Sequence, residues 1–330
     1  MSVHLKKKVF ILLFGMIFVF ACNIGTPTSA EPAFDATKAV LELEATQMVL
    51  QLTQAALDNQ SAPAATPTLA PAPRTTLLPP AEQMPSSTPA MSEDFETWIK
   101  SANILLYEDM AGSTDRRRYI NQALNGLGLR YTDVADALGR YKSEILSTPG
   151  GKGWDLIISG KELREGVQGE FYEYLSTAIN NGSAVIIEEW DMDGIINGKL
   201  SLITSKCGVS FQKDWLGKVM EDQLIFPIDD SSPILHTPND GIALTNPTNY
   251  WLWTDLGDKM RLSSGSNAVP LWGLYPNTRN SELTAVSCVD GRVILQTYST
   301  HSYGEDRVTR MWQNYIYNTL KARYDYLAAQ

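Results

Sequence analysis

From Trp154 to Gly194 the chain reads WDLIISGKELREGVQGEFYEYLSTAINNGSAVIIEEWDMDG. Two short apolar runs, Asp155 to Ser159 and Ala184 to Ile187, bracket a segment in which Val167, Phe171, Tyr174, Leu175, Ala178 and Ile179 recur at helical spacing. The runs lack the polar and apolar alternation of a strand with one wet face. Strands that are apolar on both faces need cover on both faces, and the strand, helix, strand order sets them parallel in one sheet. This stretch therefore predicts an α/β fold with a mostly parallel central sheet.

The same pattern precedes it. ANILLYEDM, from Ala102, reads as a strand ending in Glu108 and Asp109; Gly112 and Ser113 form a loop, and a helix follows to about Gly126. Helical spacing turns Tyr119 or Ile120, Ala123, Leu124 and Leu127 inward and leaves Asp115 and the run Arg116 to Arg118 in solvent. A second strand and helix are expected within Leu129 to Val134 and up to Ile145. Beyond Gly194 the pattern loosens. Short strands are expected around Gln223 to Pro227 and Gly241 to Leu244, and the stretch near 209–280 reads as an irregular insertion or long sheet-end loops. SELTAVSCVDGRVILQTYSTHS then gives two strands joined at Asp290-Gly291, a strong turn signal. A closing helix presents Val308, Met311, Trp312, Tyr315 and Leu320 on one stripe, which assigns Trp312 to the core.

The N-terminal third has different physics. Lys6 to Lys8 precede the apolar run Val9 to Cys22, which has the length of an export signal and is too short for a standard bilayer span. Its ending, Val19-Phe20-Ala21-Cys22, resembles the bacterial lipoprotein signal, with Phe20 where a small residue is usual. Residues 1–21 are thus expected to be removed and Cys22 to carry lipid, placing the protein in the bacterial cell envelope, lipid-anchored and extracytoplasmic. Phe34 to Leu57 can form a helix, and eight of the 17 prolines fall between Ser61 and Ala90. Residues 22–91 read as a helix-capable and Pro/Ser/Thr/Ala-rich stalk. All eight tryptophans lie after Met91, so residues 92–330 form the folded domain. The other cysteines, Cys207 and Cys288, make either one disulfide or two buried thiols. A net charge of −10 excludes nucleic acid as a partner.

Across Ile104 to Arg323 the order of elements resembles the class I glutamine amidotransferase-like group, in particular its ThuA-like branch. WDLIISG resembles the central strand and glycine turn, GSAVIIEEWDMDG the next strand and nucleophile elbow, and GRVILQTYSTHSYGED the late strand that presents a histidine. The resemblance implies a flavodoxin-like three-layer sandwich. It also implies a cysteine at the elbow, where this chain has Glu188, Glu189 and Trp190 instead. His301 matches the late histidine region and Glu305 its acidic partner, but without an activated thiol or hydroxyl that pair cannot transfer an acyl group. Amidotransferase activity is not expected.

Glu108, Asp109, Glu188, Glu189, Asp191 and His301 all follow predicted strands, where open α/β sheets bind ligands. The leading expectation is binding of a small polar or carbohydrate ligand, with Trp190, Trp251, Trp253 and Trp272 available for sugar stacking. One alternative is a carbohydrate-active hydrolase or modifying enzyme using Glu188 or Glu189 with His301; another is an envelope protein-interaction module. Asp191, Asp193 and Asn197 are a weak oxygen-rich metal candidate whose spacing does not fit an EF-hand. No dinucleotide fingerprint, P-loop, HExxH or G-x-S-x-G motif occurs, and no cofactor is expected.

Overall fold

A computed structural model describes residues 93–110, 117–161, 167–195, 199–248 and 254–330. The leader, Cys22, the stalk, Asn197, Trp251 and Trp253 lie outside them. In chain order the first elements are α1 (Phe95–Trp98), β1 (Ile104–Asp109), α2 (Tyr119–Gly126), β2 (Thr132–Asp133), α3 (Leu138–Ile145), β3 (Leu156–Lys161), α4 (Glu170–Asn180) and β4 (Ala184–Glu188). Then follow α5 (Met192–Ile195), α6 (Ser201–Cys207), β5 (Val209–Leu216), β6 (Phe226–Pro227), β7 (Asp255–Leu262), β8 (Val269–Gly273), β9 (Leu283–Cys288), β10 (Val293–Gln296) and α7 (Glu305–Ala328).

One sheet runs in the order β2-β1-β3-β4-β10-β9-β7-β5, with β8 pairing to β9 and carrying β6. The half from β2 to β10 is parallel, and every residue of β1, β3, β4 and β10 is buried. That is the physical content of the unbroken apolar runs, since each strand must be covered twice. Ile104, Leu106, Leu156, Ile158, Ala184, Ile186 and Ile294 face α2 and α7. Their neighbours Leu105, Tyr107, Ile157, Val185, Ile187 and Leu295 face α3, α4 and α6. Side chains alternate along a strand, so the two cores are read from alternate letters of the same words.

The helices follow their apolar stripes. Tyr119, Ile120, Ala123 and Leu124 of α2 are buried as predicted, as are Val308, Met311, Trp312, Tyr315 and Leu320 of α7. Each aliphatic side chain buried this way contributes about 1.5–3 kcal/mol, and removing the Trp312 ring would cost about 3–5 kcal/mol. In α4 the buried tyrosine is Tyr172, while the predicted Tyr174 is half-buried; a polar contact described below draws Tyr172 inward. Helix α6 stops at Gly208, whose left-handed backbone (φ 59°) turns the chain into β5.

The stretch near 209–280, expected as an irregular insertion, supplies β5 to β8 and so the antiparallel half of the sheet. Phe226–Pro227 is a strand as expected, whereas the segment ending at Leu244 contributes a single bridge, to Ile225. Cys207 and Cys288, left open between bridge and free thiols, form a disulfide with Cα atoms 5.0 Å apart. It joins the end of α6 to the end of β9. No helix among the described residues is long and apolar enough to cross a membrane.

Candidate functional site

The parallel strands end level with one another, so the strand-end side chains form two rows on opposite faces of the sheet. Glu108 pairs in register with Gly160, and Glu188 with Gln296; these residues share the face covered by α2 and α7. One residue further along, Asp109 pairs with Lys161, and this second row, with Glu189, faces α3 and α4.

On the first face Glu108 holds the start of α2. Its carboxylate accepts the backbone N–H groups of Ile120 (2.8 Å) and Asn121 (3.1 Å), two of the donors a helix start leaves without partners. Arg118 lies 3.2 Å from the same carboxylate and forks onto Asp133 at 2.7 and 2.8 Å. Arg118 is therefore half-buried and engaged, which corrects its assignment to a solvated helix face. Burial pushes the Glu108 carboxyl up to about 7, against the opposing pull of the two N–H groups, Arg118 and His301. Glu188, also buried, accepts Thr300 N–H at 2.8 Å and the Gln296 amide at 3.2 Å on one oxygen, Oε1.

Gly160 lies between these carboxylates in the row. A Cβ there would stand 2.3 Å from Ile120 Cδ1 and 3.5 Å from Glu188 Oε2. The missing side chain lets α2 close onto β3 while the acids remain on either side.

His301 reaches the same corner. Its ring stacks on Tyr119 at 4.6 Å and 23°, and its Nε2 lies 2.8 Å from the Arg117 carbonyl. A carbonyl only accepts, so Nε2 carries the proton in this contact. Glu305 binds the Arg117 guanidinium at the surface. The predicted acid and histidine are thus joined through one arginine, the acid at its side chain and the histidine at its backbone.

The second row is a packed structural network. Glu189 meets Lys161 Nζ at 2.6 Å, with both side chains essentially without solvent contact. It also accepts the Tyr172 hydroxyl and the Asp191 N–H, and it is this hydroxyl contact that buries Tyr172. Burial raises the Glu189 carboxyl and Lys161 opposes the rise. Asp109 accepts the Tyr107 hydroxyl at 3.2 Å. Trp190 donates to the Lys161 carbonyl at 3.0 Å and, like Trp272, is almost wholly buried, so neither ring offers a sugar-stacking surface.

The structure therefore brings together Glu108, Glu188 and His301 and sets Glu189 and Asp109 on the other side of the sheet. Adjacent strand residues point oppositely, so Glu188 and Glu189, left as alternatives by the sequence, face opposite sides of the sheet and only Glu188 shares a face with Glu108. Asp193 shares a cluster with Asp214 and Asp258, while Asn197, with which it was expected to group, lies outside the described residues. Arg118, Gln296 and Thr300 were not anticipated, and Gly160, expected at a turn after the strand, lies within β3. The strand-end glycine was the one available signal, because Gly160 interrupts an otherwise apolar run.

No family model matches the chain, and no curated protein matches it. Among solved structures, that of a protein assigned as part of a GMP synthase, from Thermoplasma acidophilum, aligns over 69% of this chain and 98% of that one, with 11% identity and a TM-score of 0.37. That likeness is a distant one of α/β fold.

Proposed function

We propose that the chain is a lipid-anchored extracytoplasmic module with a flavodoxin-like, class I glutamine amidotransferase-like domain of ThuA-like type. In this reading it binds a small polar or carbohydrate ligand at the carboxyl edge of its parallel strands. The order β2-β1-β3-β4-β10 supports the fold assignment, since it matches the flavodoxin-like pattern whose ligands bind where strand order reverses, here between β1 and β3. The observation that carries the binding reading is the placement of Glu108 and Glu188 on one face, to either side of Gly160, with His301 reaching the same corner. Carboxylates and an imidazole there suit a hydroxyl-rich ligand, for which they accept and donate hydrogen bonds.

Binding is favoured over hydrolysis because the carboxylates are already committed to backbone N–H groups of Ile120, Asn121 and Thr300. Such anchoring makes fixed acceptors rather than mobile proton carriers. Amidotransfer is disfavoured further by the disulfide, which leaves neither Cys207 nor Cys288 as a thiolate. The lipid anchor rests on Val9 to Cys22.

The test is a thermal-shift screen of the full-length protein against sugars, polyols and small carboxylic acids. A ligand that raises the Tm of the wild type, but not of Glu188→Gln or His301→Ala, supports the site. Shifts that survive both substitutions place binding elsewhere, and no shift across the panel transfers the function to protein interaction.

A further inference from the structure

A second acidic cluster lies outside the site above. Asp193 on α5, Asp214 on β5 and Asp258 on β7 each bring a carboxylate oxygen to within 4.8 Å of the other two. Asp214 and Asp258 are direct partners across the antiparallel pair β5 and β7. Like charges placed opposite each other destabilise a sheet, so the arrangement calls for a counter-charge.

Among the described residues no lysine or arginine pairs with any of the three aspartates. The neighbouring lysines, Lys213 and Lys259, are directed to Glu282 instead, at 3.8 and 3.0 Å. Asp258 is the decisive member. It has no solvent exposure; its Oδ2 accepts the Met192 N–H, while its Oδ1 is buried without any hydrogen-bond donor. A carboxylate oxygen removed from water with nothing in exchange costs several kcal/mol.

We propose that Asp193, Asp214 and Asp258 form a divalent-cation site whose preferred ion is calcium. Three carboxylates suit a hard cation that takes oxygen ligands. Their oxygens lie within 4.8 Å of one another, close enough for the exposed Asp193 and Asp214 side chains to settle with Asp258 on one ion at the bond lengths of about 2.3–2.6 Å that calcium takes. Calcium tolerates irregular coordination by side chains from three separate elements, whereas magnesium demands a near-ideal octahedron and keeps several of its waters. Asp193 and Asp214 are exposed, which leaves an entry path and room for water to complete the shell. The ion would tie the short helix after β4 to the antiparallel half of the sheet.

The experiment is a calcium titration of chelator-treated full-length protein, read by calorimetry and by Tm. Calcium should bind with a Kd on the order of 10⁻⁴ M and raise the Tm by about 5 °C near saturation. Magnesium should bind at least about tenfold more weakly. Asp193→Asn and Asp214→Asn, both surface changes, should each weaken calcium binding about tenfold or more. Without calcium, Asp214→Asn should keep the wild-type Tm or exceed it, because it removes a like charge from opposite Asp258. Absence of a calcium response up to about 10 mM, well above the affinities of extracellular calcium modules, overturns the proposal. So does a response that both variants retain in full, and magnesium binding as tight as calcium overturns the choice of ion.

Discussion

Lys161 Nζ and Glu189 Oε2 meet at 2.6 Å in the interior, with 1% and 0% of their side chains exposed. The pair spans the ends of β3 and β4 and is completed by the Tyr172 hydroxyl and the Asp191 N–H. Its burial on the helix-covered face opposite His301 identifies it as a fastener between sheet and helix layer.

Removing one partner should therefore cost much more than removing both. Lys161→Met alone leaves a buried carboxylate without its cation and should destabilise the fold by about 3–5 kcal/mol in urea denaturation. Lys161→Met with Glu189→Leu should recover most of that loss. If the double variant is as unstable as the single, the pair is not the element that matters.

Glu108 should make stability pH-dependent near neutrality. Its folded-state value of about 7 lies above the ordinary 4.5 because of burial. An acid raised in the folded state contributes stability that is fully present below the unfolded value and is lost as pH rises through the folded one. Between pH 4.5 and about 7.5 the wild type should lose about 3 kcal/mol that Glu108→Gln does not. Parallel stability curves for the two proteins across that window would remove Glu108 as the source.

Gly160→Ala tests the closeness of α2 to β3. The added Cβ would stand 2.3 Å from Ile120 Cδ1, an overlap expected to cost about 1–3 kcal/mol. Ile120→Val deletes that methyl group, so Gly160→Ala combined with Ile120→Val should be more stable than Gly160→Ala alone. Non-additivity in this double-mutant cycle is the readout.

The disulfide closes a separation of 81 residues between Cys207 and Cys288. Chain-entropy arithmetic for a loop of that length gives about 4.5 kcal/mol, and measured values generally fall somewhat lower. Cys207→Ser with Cys288→Ser should accordingly lower the unfolding free energy by that order in urea denaturation. Intact-mass measurement with and without reductant should show the two hydrogens that mark one bridge.

The parallel half of the sheet was legible because β1, β3 and β4 are written as unbroken apolar runs, and α2 and α7 as stripes. The antiparallel half was not. Val209–Leu216 and Asp255–Leu262 carry Lys213, Asp214, Asp258 and Lys259 among their apolar residues, so neither reads as a continuous run nor as a clean alternation. The histidine was legible as a strand-end residue, whereas its link to Glu305 through Arg117 depends on a contact across 184 residues of chain. Glu188 and Glu189 were both visible, and the alternation of β4 already separated them. Asp214 and Asp258 could not be paired from sequence, because only the β5 and β7 register sets them opposite.

Arg117 is gripped twice, through its carbonyl by His301 just before α7 and through its guanidinium by Glu305 in the first turn of α7. Its neighbour Arg118 is held by Glu108 and Asp133. The approach to α2 and the approach to α7 are consequently laced by two successive residues, one tied to the far end of the chain and one to β1 and β2. A molecule that displaced His301 from Arg117 would therefore leave the two helix beginnings still joined, through Glu305 on one side and Glu108 on the other.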